Sequence, residues 1–164
     1  MTNYAEINPC DLANGSGVRV SIFFSGCTLH CPGCFNKNAQ DFNYGKPFTD
    51  QTIDEILELL EPNYIQGLSI LGGEPFDNIE ALSKLVFTVK HKYPNKDVWI
   101  WTGYNRDELP KTDEAEFIYY YSDYLITGRY EKDKRDVSLK FRGSSNQRIL
   151  HNTDKGWRDV TDEA

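Results

Sequence analysis

Short apolar segments, each ended by a turn that contains glycine, recur along this chain and constrain its fold more than any other feature. Residues 18–24, 67–71, 98–102 and 124–127 are rich in β-branched and aromatic side chains, as buried strands are. Glycine follows each of them within two residues, and a strand seldom continues through such a turn. We therefore predict four buried strands, with residues 147–150 as a candidate for a further strand.

Amphipathic helices are predicted between these strands. Asp50 or Thr52 is a candidate cap for the first helix, and Asp77 or Asn78 for the second. The helix between residues 102 and 124 is only weakly signalled. The apolar faces consist of Ile53, Ile56, Leu57 and Leu60 in the first helix and of Ile79, Leu82, Val86 and Val89 in the second.

Strands that alternate with helices call for right-handed crossovers and parallel pairing. At 164 residues the chain is short for a complete eightfold barrel, which takes about 250. We predict an α/β fold in which a largely parallel sheet forms a partial, incomplete β/α barrel. Residues 1–164 are predicted to be a single domain, and its last dozen residues are polar and are candidates for fraying.

Charge and hydropathy exclude several classes of partner. The formal net charge of −7 argues against a nucleic-acid backbone, because phosphate binding depends on clustered Lys and Arg. Residues 129–148 are locally basic, but acidic residues interrupt them, and a solvated mixed surface is the favoured interpretation. No apolar run approaches the roughly 20 residues of a membrane span, and the first residues do not resemble a signal peptide. The prediction is a cytoplasmic protein that binds neither nucleic acid nor membrane.

Cys27, Cys31 and Cys34 lie within eight residues and directly follow the first predicted strand. Three soft thiolates aimed at one point, with no fourth at matching spacing, suit a 4Fe-4S cluster that keeps one iron open. The alternatives are three unrelated thiols or a structural zinc site, in which Cys10 or His30 would have to be the fourth ligand. Cys10 stands apart and is predicted to be a small buried hydrophobe.

The other turns of chemical interest also follow predicted strands. These turns are Thr102-Gly103, Thr127-Gly128 and the run of Gly72, Gly73, Glu74 and Pro75. Parallel α/β proteins bind ligands at the edge where the strands end, so the turns and the cysteines are predicted to meet there.

The cysteine spacing and the Gly-Gly-Glu-Pro run resemble the signatures of the radical S-adenosylmethionine (SAM) superfamily. Residues 14–19, 25–36, 101–104 and 142–148 are most similar to glycyl-radical-enzyme activases, in particular the family that activates anaerobic ribonucleoside-triphosphate reductases. Gly33 departs from the wider superfamily, which often has an aromatic residue there, but the Pro-Gly-Cys form is typical of this family. Thr127 stands where relatives often carry an acidic residue.

The resemblance implies an enzyme with two cofactors, a 4Fe-4S cluster held by the three cysteines and SAM. It implies that Gly72, Gly73, Glu74 and Pro75 bind the methionyl amino group of SAM. Contacts to adenine and ribose are implied for Gly33, Cys34, Phe35 and Thr102. The implied partners are the large subunit of the reductase and a one-electron donor such as a flavodoxin. A pyruvate formate-lyase activase, a deazapurine-synthesis enzyme and a non-catalytic zinc module are the alternatives.

Overall fold

The computed structural model describes residues 1–163, so Ala164, the last residue of the predicted domain and of its frayed segment, lies outside the described residues. Within that range no helix is long and apolar enough to cross a membrane. The α-helices are α1 (Asp50–Leu60), α2 (Ile79–Lys92) and α3 (Asp113–Tyr121). The strands are β1 (Asn3–Asp11), β2 (Val18–Phe24), β3 (Lys46–Pro47), β4 (Ile65–Gly72), β5 (Asp97–Trp101), β6 (Tyr124–Thr127), β7 (Arg148–Thr153) and β8 (Gly156–Asp159).

All the strands within residues 1–163 join one mixed sheet, in the order β3-β1-β2-β4-β5-β6-β7-β8. The pairs β2–β4, β4–β5 and β5–β6 are parallel, whereas β1–β2, β1–β3, β6–β7 and β7–β8 are antiparallel. The prediction of a largely parallel partial β/α barrel is therefore wrong. Antiparallel strands flank the parallel centre on both sides.

The error comes from strands that carry no apolar signal. β1 is mostly polar, contains Pro9 and pairs with β2 through register shifts, while β3 has two residues and β8 has four. Edge strands need little burial, so their sequences lack the apolar run that identifies a central strand. β7 also enters antiparallel, because residues 128–147 return the chain along the edge of β6 without a crossover helix.

The helices cover one face of the sheet. α1 buries Ile53, Ile56, Leu57 and Leu60 in one core with the inward side chains of β2, β4 and β5. Its cap is Thr49 rather than Asp50 or Thr52, the two predicted candidates, and Thr52 completes a capping box with Thr49. α2 begins directly after Asn78, as predicted, and ends at Lys92 before Pro94.

The opposite face is more polar. Arg19 is fully buried there, pairs with Asp97 at 2.6 Å, donates to the hydroxyl of Ser69 at 2.7 Å and lies over the ring of Trp99. Cys10 is exposed, so its prediction as a buried hydrophobe is wrong.

Candidate functional site

Four turns meet where the parallel strands end. β2, β4, β5 and β6 are neighbours in the sheet, and each runs into one of the turns that the sequence singled out. A cavity of about 430 Å³ opens between these turns, within the range of small-molecule sites. Its wall includes Cys27, Cys31, Cys34, Gly72, Gly73, Glu74, Thr102, Gly103 and Gly128.

The cysteine loop is fixed at its base by backbone hydrogen bonds. The N–H groups of Gly26 and Cys27 donate to the carbonyl oxygens of Ala39 and Gln40, at 2.6 and 3.1 Å. Further along, the N–H of Cys34 donates to the carbonyl of Cys31 at 3.1 Å, which turns the loop back toward the cavity. All three cysteines are free thiols. Among residues 1–163, no group of three or more His, Cys, Asp or Glu side chains is arranged to hold a metal ion.

The thiols differ in their surroundings. Burial raises the pKa of the Cys27 thiol, while hydrogen bonds from the backbone N–H groups of Leu29 and His30 act in the opposite direction. Cys34 is half-buried, and its sulfur accepts a hydrogen bond from the N–H of Asn36 at 3.4 Å. N–H donors of this kind stabilise a thiolate and tune any iron bound to it.

The turn formed by Gly72, Gly73, Glu74 and Pro75, called the GGEP turn below, is hydrogen-bonded to the base of the cysteine loop. The N–H of Gly73 donates to the carbonyl of Phe24, and the N–H of Glu74 to that of Gly26, both at 2.8 Å. A Cβ at Gly73 would collide with the carbonyl oxygens of Gly26 and Ala39. Glycine is therefore required here by the protein's own backbone, apart from any ligand.

Glu74 is fully buried and ties this turn to the end of β5. Its carboxylate accepts hydrogen bonds from the N–H of Phe76 at 2.9 Å, the N–H of Gly103 at 2.6 Å and the hydroxyl of Thr102 at 2.9 Å. Burial is the largest influence on this group and outweighs the three hydrogen bonds, so the pKa of Glu74 is raised to about 7. Glu74 and Thr102, both predicted to contact SAM, are therefore hydrogen-bonded to each other.

Residues 128–147 form part of the cavity wall, to which they contribute Tyr130, Phe141, Arg142 and Gln147. The ring of Tyr130 packs on Phe35 with centroids 4.9 Å apart, and the guanidinium of Arg135 lies 5.2 Å from the Phe35 ring. At the two ends of the segment, the Asn146 side chain donates to the carbonyl of Arg129 at 2.8 Å. The segment is thus anchored to itself and to the cysteine loop.

The structure brings most of the predicted site residues together, with two exceptions. Gly33 is exposed and lies beside the side chain of Lys132, and Pro75 is buried in the turn before α2; neither lines the cavity. Phe35 lines the cavity but is 61% exposed. Sequence reasoning assigned no site role to several wall residues: Asn14, Leu29, Gln40, Trp101, Tyr130, Phe141, Arg142 and Gln147. For Tyr130, Phe141, Arg142 and Gln147 the available signal was the length of the segment after β6, since connections of about 20 residues usually serve a function.

Comparison with known proteins agrees with this arrangement. The family model described as a 4Fe-4S single cluster domain matches residues 13–150. The anaerobic ribonucleoside-triphosphate reductase-activating protein of Enterobacteria phage T4 is 40% identical over 158 residues, which cover 95% of this chain and 98% of the relative. The proteins of the same name from Pasteurella multocida (strain Pm70) and Escherichia coli (strain K12) are 43% and 40% identical, and the matches cover 92% and 91% of this chain and 98% of each relative. The chain belongs to the family of anaerobic ribonucleoside-triphosphate reductase-activating proteins.

The donor set suits the cluster of a reductase-activating protein. Three free thiols line one cavity, and backbone N–H groups face two of the sulfurs. In a 4Fe-4S cluster each cysteine binds a different iron, so three cysteines leave one iron open to a further ligand. The same cavity extends past the thiols to the turns after β4 and β5 and leaves room for that ligand. Because each thiol binds its own iron of such a cluster, the three thiols need not converge on one ion, and their place on the cavity wall suits the cluster that the family description names.

Proposed function

We propose that this reductase-activating protein cleaves SAM reductively and generates a glycyl radical on an anaerobic ribonucleoside-triphosphate reductase. Cys27, Cys31 and Cys34 would hold the 4Fe-4S cluster, which would supply the single electron needed to split SAM at its C5′–S bond into methionine and the adenosyl group that takes a hydrogen atom from a backbone glycine of the reductase. The observation that carries the proposal is that one cavity is lined both by the three cysteines and by the turns after β4 and β5.

Each part of the cavity wall has a role in this proposal. Cys27, Cys31 and Cys34 hold the cluster. The turn of Gly72, Gly73, Glu74 and Pro75 binds the methionyl amino group of SAM. Because the Glu74 carboxylate already accepts three protein hydrogen bonds, we assign the ligand contacts of this turn chiefly to its backbone. Cys34, Phe35 and Thr102 of the cavity wall are the proposed contacts to adenine and ribose, together with Gly33, which lies outside the wall in the same cysteine loop.

The proposed protein substrate is the large subunit of the reductase, and the proposed reductant is a one-electron donor such as a flavodoxin. Names of the relatives support the reductase as partner. A cavity open to solvent at the ends of the strands would let a glycine-bearing loop reach the adenosyl group. We propose in addition that the protein works in the cytoplasm and that residues 1–164 form a single domain.

Electron paramagnetic resonance tests the function directly. The protein with reconstituted iron, SAM and a strong one-electron reductant is incubated without oxygen with an anaerobic ribonucleotide reductase and, separately, with pyruvate formate-lyase. We expect a glycyl doublet on the reductase alone and methionine release in step with it. The Cys31→Ala variant is the matched control and should give neither signal. A doublet on the lyase alone, or no SAM cleavage by iron-loaded protein, would contradict the proposal.

A further inference from the structure

Asp77 lies outside the cavity wall but contacts two of the turns that form it. The residue is half-buried in the short 3-10 turn Pro75–Asn78, between the GGEP turn and α2. One carboxylate oxygen accepts hydrogen bonds from both the N–H and the hydroxyl of Thr28, at 2.9 and 3.0 Å. The other oxygen accepts the hydroxyl hydrogen of Tyr104 at 2.5 Å. Asp77 therefore joins the cysteine loop to the turn after β5.

This contact falls at the start of the stretch between the first two cysteines. Thr28 directly follows Cys27, and the backbone N–H groups of the next two residues, Leu29 and His30, are near enough to the Cys27 thiol to influence it. The direction of those N–H groups depends on how the peptide at Thr28 is oriented. A side-chain contact from His30 to Gln40 at 3.0 Å holds the far end of the stretch. Asp77, in the turn that follows β4, holds the near end of the stretch through its hydrogen bonds to Thr28.

We propose that Asp77 is a positioning residue that holds residues 27–31 in the conformation needed to bind the cluster, and that Tyr104 in turn holds Asp77. The inference rests on the proposed function only in taking Cys27, Cys31 and Cys34 as the cluster ligands. Residues that hydrogen-bond to a ligand loop fix the direction of its donors, and their loss weakens metal retention without removing a ligand. Asp77 acts through Thr28 and does not itself line the cavity.

Three variants remove these hydrogen bonds in graded steps. Asp77→Ala removes every bond, Thr28→Val removes one hydroxyl donor while keeping the N–H, and Tyr104→Phe removes only the support of Asp77. Each protein is loaded with iron and sulfide to equal content, and iron loss to a chelator is followed by absorbance. We expect Asp77→Ala to lose iron about tenfold faster than wild type, because a factor of ten corresponds to the loss of one charge-assisted hydrogen bond. The other two variants should lose iron at intermediate rates. The reduced cluster of Asp77→Ala should also give a shifted paramagnetic resonance spectrum.

Asp123→Ala is the matched control. Its carboxylate also accepts a backbone N–H, that of Val98 at 2.8 Å, and pairs with Lys90 at 3.0 Å, but at the opposite edge, where the strands begin. It should lower the unfolding temperature and leave the iron-loss rate and the spectrum as in wild type.

The outcomes separate the two proposals. Equal iron loss in wild type and all three variants, or equal acceleration by Asp123→Ala, would overturn the role of Asp77 and leave the proposed function standing. If Asp77→Ala does not fold by circular dichroism, Thr28→Val and Tyr104→Phe decide in its place. A wild-type protein that takes up no four-iron cluster would instead overturn the proposed function itself.

Discussion

Replacing Glu74 with Gln isolates the free energy of burying a carboxylate at the centre of the site. The pKa of Glu74 is raised from its ordinary 4.5 to about 7, mainly by burial. That difference corresponds to about 3 kcal/mol in the stability of the ionised form. The side chain is fully buried, so solvent screening does not reduce this figure.

The sign of the effect follows from proton binding. Between pH 4.5 and about 7 the folded protein holds the proton of Glu74 more tightly than the unfolded chain does. The free energy of unfolding therefore falls as pH rises through this window, and the loss levels off about one unit above the folded pKa, near pH 8. Gln at this position cannot ionise and lacks this component of the pH dependence.

A second, constant effect accompanies the substitution. The N–H groups of Phe76 and Gly103 bind different oxygens of Glu74, so one of them would face the amide nitrogen of Gln. Leaving one buried donor unsatisfied costs about 1–3 kcal/mol. This cost does not change with pH, so the slope of the difference between the two proteins reports the carboxylate alone.

Urea denaturation of the reduced, iron-free proteins at a series of pH values measures this slope. We expect wild type to lose about 3 kcal/mol relative to Glu74→Gln between pH 4.5 and about 8. Glu80→Gln, which alters an exposed carboxylate on α2, is the control and should leave the wild-type profile unchanged. Parallel profiles for wild type and Glu74→Gln, or a wild type that gains stability with rising pH relative to the variant, would refute the reasoning.

Three further predictions concern single residues. Cys31→Ala should abolish SAM cleavage and lower iron content, because it removes one of three ligands. Cys10→Ala should retain both properties, because Cys10 is exposed and lies outside the cysteine loop. Iron assay and methionine release check this prediction. Gly73→Val should lower the unfolding temperature of the iron-free protein, because its side chain meets backbone carbonyls, and calorimetry without SAM separates this from an effect on ligand binding. An unchanged temperature would show that the turn relaxes freely. Arg19→Met should cost about 3 kcal/mol in urea denaturation, since it leaves Asp97 without its buried partner, and a loss below 1 kcal/mol would mean that solvent compensates Asp97.

The centre of the sheet could be predicted from sequence because its signals are local. β2, β4, β5 and β6 each bury apolar side chains on the helix face, and each ends at a turn rich in glycine. Their parallel pairing follows from the helices or crossover segments between them. The same logic correctly gathered the cysteines, the GGEP turn and Thr102 at one edge.

The flanks could not be predicted in the same way, because their strands are stabilised by backbone pairing rather than by burial. β1 places Cys10 on an exposed edge, where a small hydrophobe has nothing to pack against. Long-range contacts were also invisible. The tilted contact between the rings of Tyr130 and Phe35 joins residues 95 positions apart, and the spacing of aromatic residues in the sequence does not indicate it. Asp77 was considered only as a helix cap, although its carboxylate binds Thr28 and Tyr104.

The short strands at the two margins of the sheet have a consequence for solubility. At one margin β8 offers only four residues for pairing. At the other margin β3 covers only Asn3 and Tyr4 of β1, and the rest of that edge is interrupted by Pro9 and by register shifts, which make it a poor template for another molecule. β8 also covers the outer side of β7, a longer strand that contains the apolar pair Ile149 and Leu150. Without residues 156–159, β7 would become a bare template for intermolecular pairing. We therefore expect the β7–β8 hairpin to lower the tendency to aggregate of a protein whose open cavity leaves apolar surface such as the Phe35 ring exposed.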